Sequence, residues 1–511
     1  MDIRQQLPAA TRSVDLRVTG PGAGGFRRAV LRRGGAKLLV LLVLVPAATV
    51  GAVLAPGPVL LAVGLALFLL WLLASPGRPQ RAFVVGLGAL LVGYAFLGRG
   101  LAHAGVAPVY VGEMVVGLGV LALALGRPVF RFDLVRVLLL AFMAWGLLQT
   151  VPYIGRYGID ALRDAVSWGY GFFAIAIAAL ARGPDLLGAV NRYRGLIVPL
   201  CLFILVNVPI PRESLPPFPG SAVAFINPKP GDSAVHMAGI AAFVLLGLYA
   251  DVRTRVPEFM VWLAWLPTAI LMGVINRGGM GAIAMSGLAV LFGRAPARLI
   301  TPLFIGLIGL VAVIHIDPVV DLGGKRPISV GQVIENVTSV FSETDDASLE
   351  GTKEYRLRWW GAIVDYTVNG QYFWTGKGFG VNLADDDGFQ VLEDGSLRAP
   401  HNAHIDVLAR MGVPGLGLWV GLNLAWAVAV LAAVRKARAL HSSRWAAVLV
   451  WLLVYWAALL VNATFDGSLQ GPQGGIWYWA VMGAGLVAID AVRQLPDPSL
   501  MRAPSTQPGA P

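Results

Sequence analysis

The chain is a succession of apolar runs, each about 17–23 residues long, divided by short polar or basic stretches, and that length is the one a bilayer demands. About 20 residues in helical geometry cross the ~30 Å hydrocarbon core. Lipid offers no partner to a backbone N–H or C=O, so each run must close its own hydrogen bonds as a helix. Composition agrees: of 511 residues, 57% are hydrophobic and 14% charged, where a soluble domain carries about 25% charged residues. The 62 glycines and 33 prolines fit the same class, both being commoner in membrane helices than in soluble ones. The expected fold is all-α, a polytopic integral membrane protein.

Spans are predicted near 36–55, 58–75, 82–98, 109–126, 133–151, 165–181, 194–210, 234–250, 258–275, 279–293 and 298–316, then 412–434, 443–462 and 474–491. That is about 14 transmembrane helices (12–14). The resulting division is a disordered basic cytoplasmic segment over 1–35, helices 1–11 over 36–316, and one large, partly helical extracytoplasmic loop over 317–411. Helices 12–14 follow over 412–492, with a disordered cytoplasmic tail over 493–511. No internal repeat is evident, which lowers the case for an inverted-repeat transporter.

Basic residues set the orientation. Starting with the N-terminus inside, the inner connections carry Arg78 and Arg81; Arg127, Arg131 and Arg136; Arg182, Arg192 and Arg194; Arg253 and Arg255; Arg294 and Arg298; and Arg435, Lys436, Arg438 and Arg444. The outer connections are poorer, with Arg99, then Arg156 and Arg163, then Arg212 and Lys229, then Arg277. This alternation follows the positive-inside rule with both termini cytoplasmic and the long loop outside. The net charge of +11 is therefore orientation charge, and without a basic domain it does not point to nucleic acid. The stretch 317–400 itself is acidic, with 14 Asp or Glu against 7 Lys or Arg. The lone Cys201 lies in an apolar run and allows neither an internal disulfide nor a cysteine metal site.

With few basic residues on the outer side, each is informative. Arg163 precedes Asp164 at the head of a span; Arg277 sits in Asn276-Arg277-Gly278-Gly279, a tight break between two helices; Arg356 and Arg358 flank Trp359 and Trp360. A guanidinium at a membrane edge either snorkels as an anchor or presents a planar fork to phosphate oxygens. The glycines after Arg277 favour the second reading there, because they let a phosphate approach the backbone. Pro400-His401-Asn402 opens a short helical pattern that ends at Gly412 and Pro414, with His401, His404 and Leu408 on one face. An imidazole at that edge can take a proton from a sugar hydroxyl near neutral pH. His401, His404 and Asp406 do not converge as metal ligands should, and Asp385-Asp386-Asp387 reads as a solvated loop tip in place of a cation site. Gly376-Lys377-Gly378-Phe379-Gly380 lacks the setting of a phosphate loop and reads as a turn. The surrounding Trp359, Trp360, Tyr366, Tyr372, Phe373 and Trp374 either stack on sugars or mark the membrane interface.

Together these motifs resemble the O-antigen ligase and O-antigen polymerase superfamily of Wzy-C-like membrane glycosyltransferases. The segments that carry the resemblance are Asn227-Pro228, Arg277-Gly278, Tyr355-Arg356-Leu357-Arg358-Trp359-Trp360, the Gly376–Gly380 turn, and His401-Asn402 through Gly412-Val413-Pro414-Gly415. They cover about residues 200–430, and Asn276 stands where Ser is usual in the family. The resemblance implies metal-independent glycosyl transfer, without a cofactor, from an undecaprenyl-diphosphate donor on the outer face of the inner membrane. The implied partners are a lipid-linked oligosaccharide donor, a glycan or lipid-core acceptor, membrane lipids and a chain-length regulator. Such chemistry needs cations for the departing diphosphate and a base for the acceptor hydroxyl. Arg277 and Arg356 would grip the diphosphate with Arg163 in support, and His401 would be the base. Arg358, Trp360, Asn402 and His404 complete the expected substrate-binding set. The rival is a transporter or flippase of lipid-linked sugars or small anions, which expects mid-membrane charge that the spans lack; a membrane scaffold would need neither His401 nor Arg277.

Overall fold

A computed structural model describes residues 77–106, 109–218, 221–250, 256–293, 296–316 and 347–496. The expected spans at 36–55 and 58–75, the segment 1–35, residues 317–346 of the long loop and most of the tail fall outside the described residues. The described chain is helical. In order run α1 (Arg78–Leu97), α2 (Val111–Leu125), α3 (Leu134–Tyr157), α4 (Ile159–Asp164), α5 (Val166–Gly169), α6 (Gly171–Leu180), α7 (Gly183–Tyr193), α8 (Ile197–Asn207) and α9 (Pro230–Leu245). Then come α10 (Glu258–Ile275), α11 (Arg277–Ala284), α12 (Gly287–Gly293), α13 (Ile300–Ile316), α14 (Ala347–Val368), α15 (Leu383–Asp386), α16 (Ala403–Ala439), α17 (Ser443–Phe465) and α18 (Pro472–Arg493). A two-residue ribbon pairs Gly105–Val106 with Val109–Tyr110.

Each predicted span from 82 onward falls on helix, but only six stretches among the described residues are long and apolar enough to cross: α1, α3, α7 with α8, α16, α17 and α18. Others are divided. Asn276, extended at φ −140°, separates α10 from α11, and the chain breaks again between Ala284 and Gly287. Because lipid tails are as apolar as leucine, close packing and interhelical hydrogen bonds have to hold such a bundle. The centre shows both. The indoles of Trp451 and Trp426 donate to the carbonyls of Gly239 (3.0 Å) and Met482 (3.0 Å). Gly239 seats the Tyr455 ring so closely that a Cβ would lie 2.2 Å from it. Along α9 nearly every side chain is buried, as befits a helix apolar on all sides. On α3, by contrast, Leu140, Leu147, Leu148 and Val151 face outward, a lipid-facing stripe.

A second, smaller core lies beyond the bundle. Trp359 and Ile363 of α14 pack with Leu383, Ala384 and Leu397 onto Leu408 and Ala409 of α16. The Trp359 indole stacks on Phe389 at 5.5 Å. α16 is two helices in one: Gly412 adopts φ 66°, ψ −172°, and the helix resumes with Pro414 in its new first turn, where proline costs nothing. The first part, up to Met411, belongs to the small core and carries the predicted histidines to the edge of the bundle.

Candidate active site

The Pro400-His401-Asn402 turn is fixed from two sides. Asn402 caps α16, its side-chain oxygen accepting the His404 and Ile405 N–H groups at 2.9 and 3.1 Å, the job for which asparagine is preferred at a helix start. The Trp360 indole donates to the Pro400 carbonyl at 2.8 Å. His401 itself sits at φ 53°, a left-handed backbone that costs a side-chain-bearing residue about 1–2 kcal/mol. Local strain of this kind persists where the surroundings over-determine it, and it concentrates at functional sites.

Three helix ends and the middle of α14 supply the neighbours. Arg356 of α14 donates to the carbonyl of Phe465, the last residue of α17, at 3.3 Å. Lys229, just ahead of α9, pairs with Asp466, just beyond α17, at 3.2 Å. One turn inward, the Asn462 amide donates to Asp232 at 3.2 Å, and the second oxygen of Asp232 is buried without a partner. The start of α11 closes the group. Asn276 caps it by accepting from the Gly279 N–H at 3.0 Å, and a Cβ on Gly278 would lie 2.8 Å from that of Phe465. Arg277 is therefore the first helical residue at this junction. Burial pushes the His401 pKa below its ordinary 6.5; the charges of Arg356 and Lys229 act in the same direction and Asp466 opposes them. The surroundings thus favour the neutral imidazole, the form that can act as a base.

His401, Arg356 and the Arg277 helix start are thus brought together, with Trp360 and Asn402 holding the turn. The other predicted residues stand elsewhere. Arg163 is exposed and pairs with Asp160 (3.3 Å) and Asp164 (3.8 Å). Arg358 is exposed on α14 and faces Glu354 at 3.8 Å. His404 points into the bundle, where Trp419 donates to its Nδ1 at 3.0 Å and its Nε2 lies 3.3 Å from the Leu460 carbonyl.

The acidic run corrects an expectation. Asp387 is not a solvated tip: its side chain is 1% exposed and pairs with Lys377 at 2.5 Å, while Trp359 donates to it at 2.7 Å. Asp386 holds the same ammonium at 2.6 Å. Burial works against the Lys377 charge, but the bonds and charges of both carboxylates outweigh it and raise the pKa. The glycine turn is a clasp on the end of the first part of α16. Lys377 and Gly378 donate their N–H groups to the carbonyls of Ala409 (2.7 Å) and Arg410 (3.1 Å). Gly376 and Gly378 have φ of 62° and 76°, and a Cβ on Gly378 would enter the Tyr153 ring.

Lys229, Asp232, Asn462 and Asp466 were not among the expected site residues. Lys229 and Asp232 had an available signal in the Asn227-Pro228 segment just before them, and Lys229 a second as a rare basic residue in an outer connection; Asn462 and Asp466 lie at a span end with no motif around them.

Residues 262–420 match the family model described as O-antigen ligase. The match takes in Arg277, Arg356 and His401 and leaves Lys229, Asp232, Asn462 and Asp466 outside it. A search of curated proteins finds no match to the chain. The chain is a multi-pass membrane protein by the length and apolar character of its helices, and its residues 262–420 are similar to the O-antigen ligase family.

Proposed function

We propose that the protein is a membrane glycosyltransferase that ligates or polymerises a glycan carried on undecaprenyl diphosphate, on the outer face of the inner membrane, with both termini cytoplasmic. The observation that carries this reading is the placing of a partly buried histidine, its pKa lowered, near Arg356 and Lys229 at the start of the Arg277 helix. The acceptor hydroxyl gives its proton to His401 as its oxygen bonds to the anomeric carbon of the donor sugar. The bond from that carbon to the diphosphate oxygen breaks, and the lipid diphosphate leaves with the electron pair. Cations placed where that charge develops lower the barrier, and Arg277 and Arg356 take this role, with Arg163 in support at the rim. The reaction requires no divalent ion in this scheme, because guanidinium groups meet the diphosphate charge. The partners follow: a lipid-linked oligosaccharide, a glycan or lipid-core acceptor, the surrounding lipids and a chain-length regulator.

Arg277 tests the clamp. Arg277→Lys keeps the charge and loses the bidentate fork, so transfer from a lipid-linked oligosaccharide should fall clearly with membrane insertion unchanged, and Arg277→Ala should fall further. Wild-type transfer by both variants would make Arg277 an anchor.

A further inference from the structure

The end of the bundle away from His401 carries a second polar site. α3 and α18 fix the two ends: Tyr153 and Tyr157 of α3 lie under the glycine clasp, while Asp133 and Asp490, at the other ends of these helices, share Arg136 and Arg493. There a bowl of about 490 Å³ opens, with Arg131, Arg182, Trp445 and Asp490 in its wall. Val129, Arg131 and Ala178 line both it and a neighbouring, mostly apolar slot of about 130 Å³ whose walls include Leu140, Ile175 and Leu486.

The charge does not cancel. Asp490 accepts from Arg136 at 2.6 Å and lies 3.5 Å from Arg131 and 3.4 Å from Arg493; Asp133 takes Arg136 and Arg493 at 2.5 and 3.0 Å. Asp185 accepts the main-chain N–H of Arg182 at 2.9 Å. The Arg182 guanidinium donates to the carbonyls of Ala179, Ala181 and Arg127. Lys436 reaches the Arg493 carbonyl at 3.3 Å. In the wall of the bowl two guanidiniums, Arg131 and Arg182, thus stand with one carboxylate, Asp490, which Arg136 and Arg493 already share. Phe130 and Phe132, on either side of Arg131, are exposed at 57% and 80%, apolar anchors at the height of the arginines.

We propose that this is a binding site for one anionic phospholipid, its phosphate between Arg131 and Arg182 and an acyl chain in the apolar slot. Basic pockets between membrane helices suit such headgroups, and an arginine fork suits phosphate oxygens. The site lies outside the matched family segment and does not depend on the transfer chemistry.

The test is the unfolding temperature of the detergent-purified full chain, titrated with phosphatidylglycerol, with phosphatidylcholine and with free glycerol phosphate. Phosphatidylglycerol should stabilise, and the other two should not. Arg182→Gln should weaken phosphatidylglycerol binding about tenfold, the loss of one charge-assisted contact. Ala178→Phe fills the slot, leaves every arginine in place and should weaken it likewise. Equal stabilisation by phosphatidylcholine, equal stabilisation by glycerol phosphate, or unchanged binding by both variants would each overturn the site.

Discussion

At the scale of the residue, His401 shows how a base is made from its surroundings. Burial is the largest influence and lowers its pKa; Arg356 adds to that, Asp466 works against it, and Lys229 lowers it again. The sign has a consequence for pH. A base acts in its neutral form, so transfer should rise as pH climbs through a pKa below the ordinary 6.5 and be flat above it. Arg356→Gln removes a cation that disfavours the imidazolium, which raises the pKa of His401. The acidic limb of the rate profile should therefore move to higher pH, separately from any loss of overall rate. Rates of the two proteins measured across pH 4–8 check this, and a limb that stays in place or moves downward would remove Arg356 from the neighbourhood of the base.

At the scale of the element, the first part of α16 is a short helix pinned at both ends. Asn402 holds its start and the Gly376–Gly380 clasp its end. On its side the Arg410 guanidinium is buried between Asp406 (2.9 Å) and Asp164 (3.2 Å), a pairing whose breakage costs about 3–5 kcal/mol. Asn402→Ala loses two accepted bonds and should destabilise by about 0.5–2 kcal/mol, whereas Asn402→Asp, which keeps the acceptor, should restore most of it. Thermal unfolding of the two variants measures the difference, and equal stability would show that Asn402 is not acting through its cap. Much of this element was legible in sequence. The break at Gly412 and Pro414 follows local rules that need only neighbouring residues, while the start lies at Ala403, after the Asn402 cap, and not at His401. The clasp was legible as a turn but its target was not, because glycine spacing states a backbone shape and says nothing about which helix end will occupy it. The acidic run misled for the same reason: Asp387 reads as solvated until Trp359, 28 residues earlier, is folded over it.

At the scale of the whole molecule, the apolar runs placed the helices well from 82 onward, since lipid imposes one length and one hydrogen-bonding solution. They placed the breaks at Asn276 and Gly412 but not the one between Ala284 and Gly287, nor that Lys229 and Asp466, 237 positions apart, would pair near His401. Spans with similar composition do not state their neighbours. The charge alternation does predict sides: Ser396, in the loop between α15 and α16, and Ser443, at the opposite end of the bundle, should face different compartments. In a Cys201→Ala background, an impermeant thiol reagent applied to intact cells should label Ser396→Cys and spare Ser443→Cys; the reverse pattern would invert the topology.

The central claim is that His401 takes the acceptor proton while the cations hold the diphosphate, and single-turnover transfer from a lipid-linked oligosaccharide tests it most directly. His401→Ala should slow the step by about 10²–10⁴-fold, the usual range for a lost general base, with donor binding little changed and with no effect of a metal chelator on the wild-type rate. Full single-turnover activity in His401→Ala, or chelator inhibition reversed by a divalent ion, would contradict it.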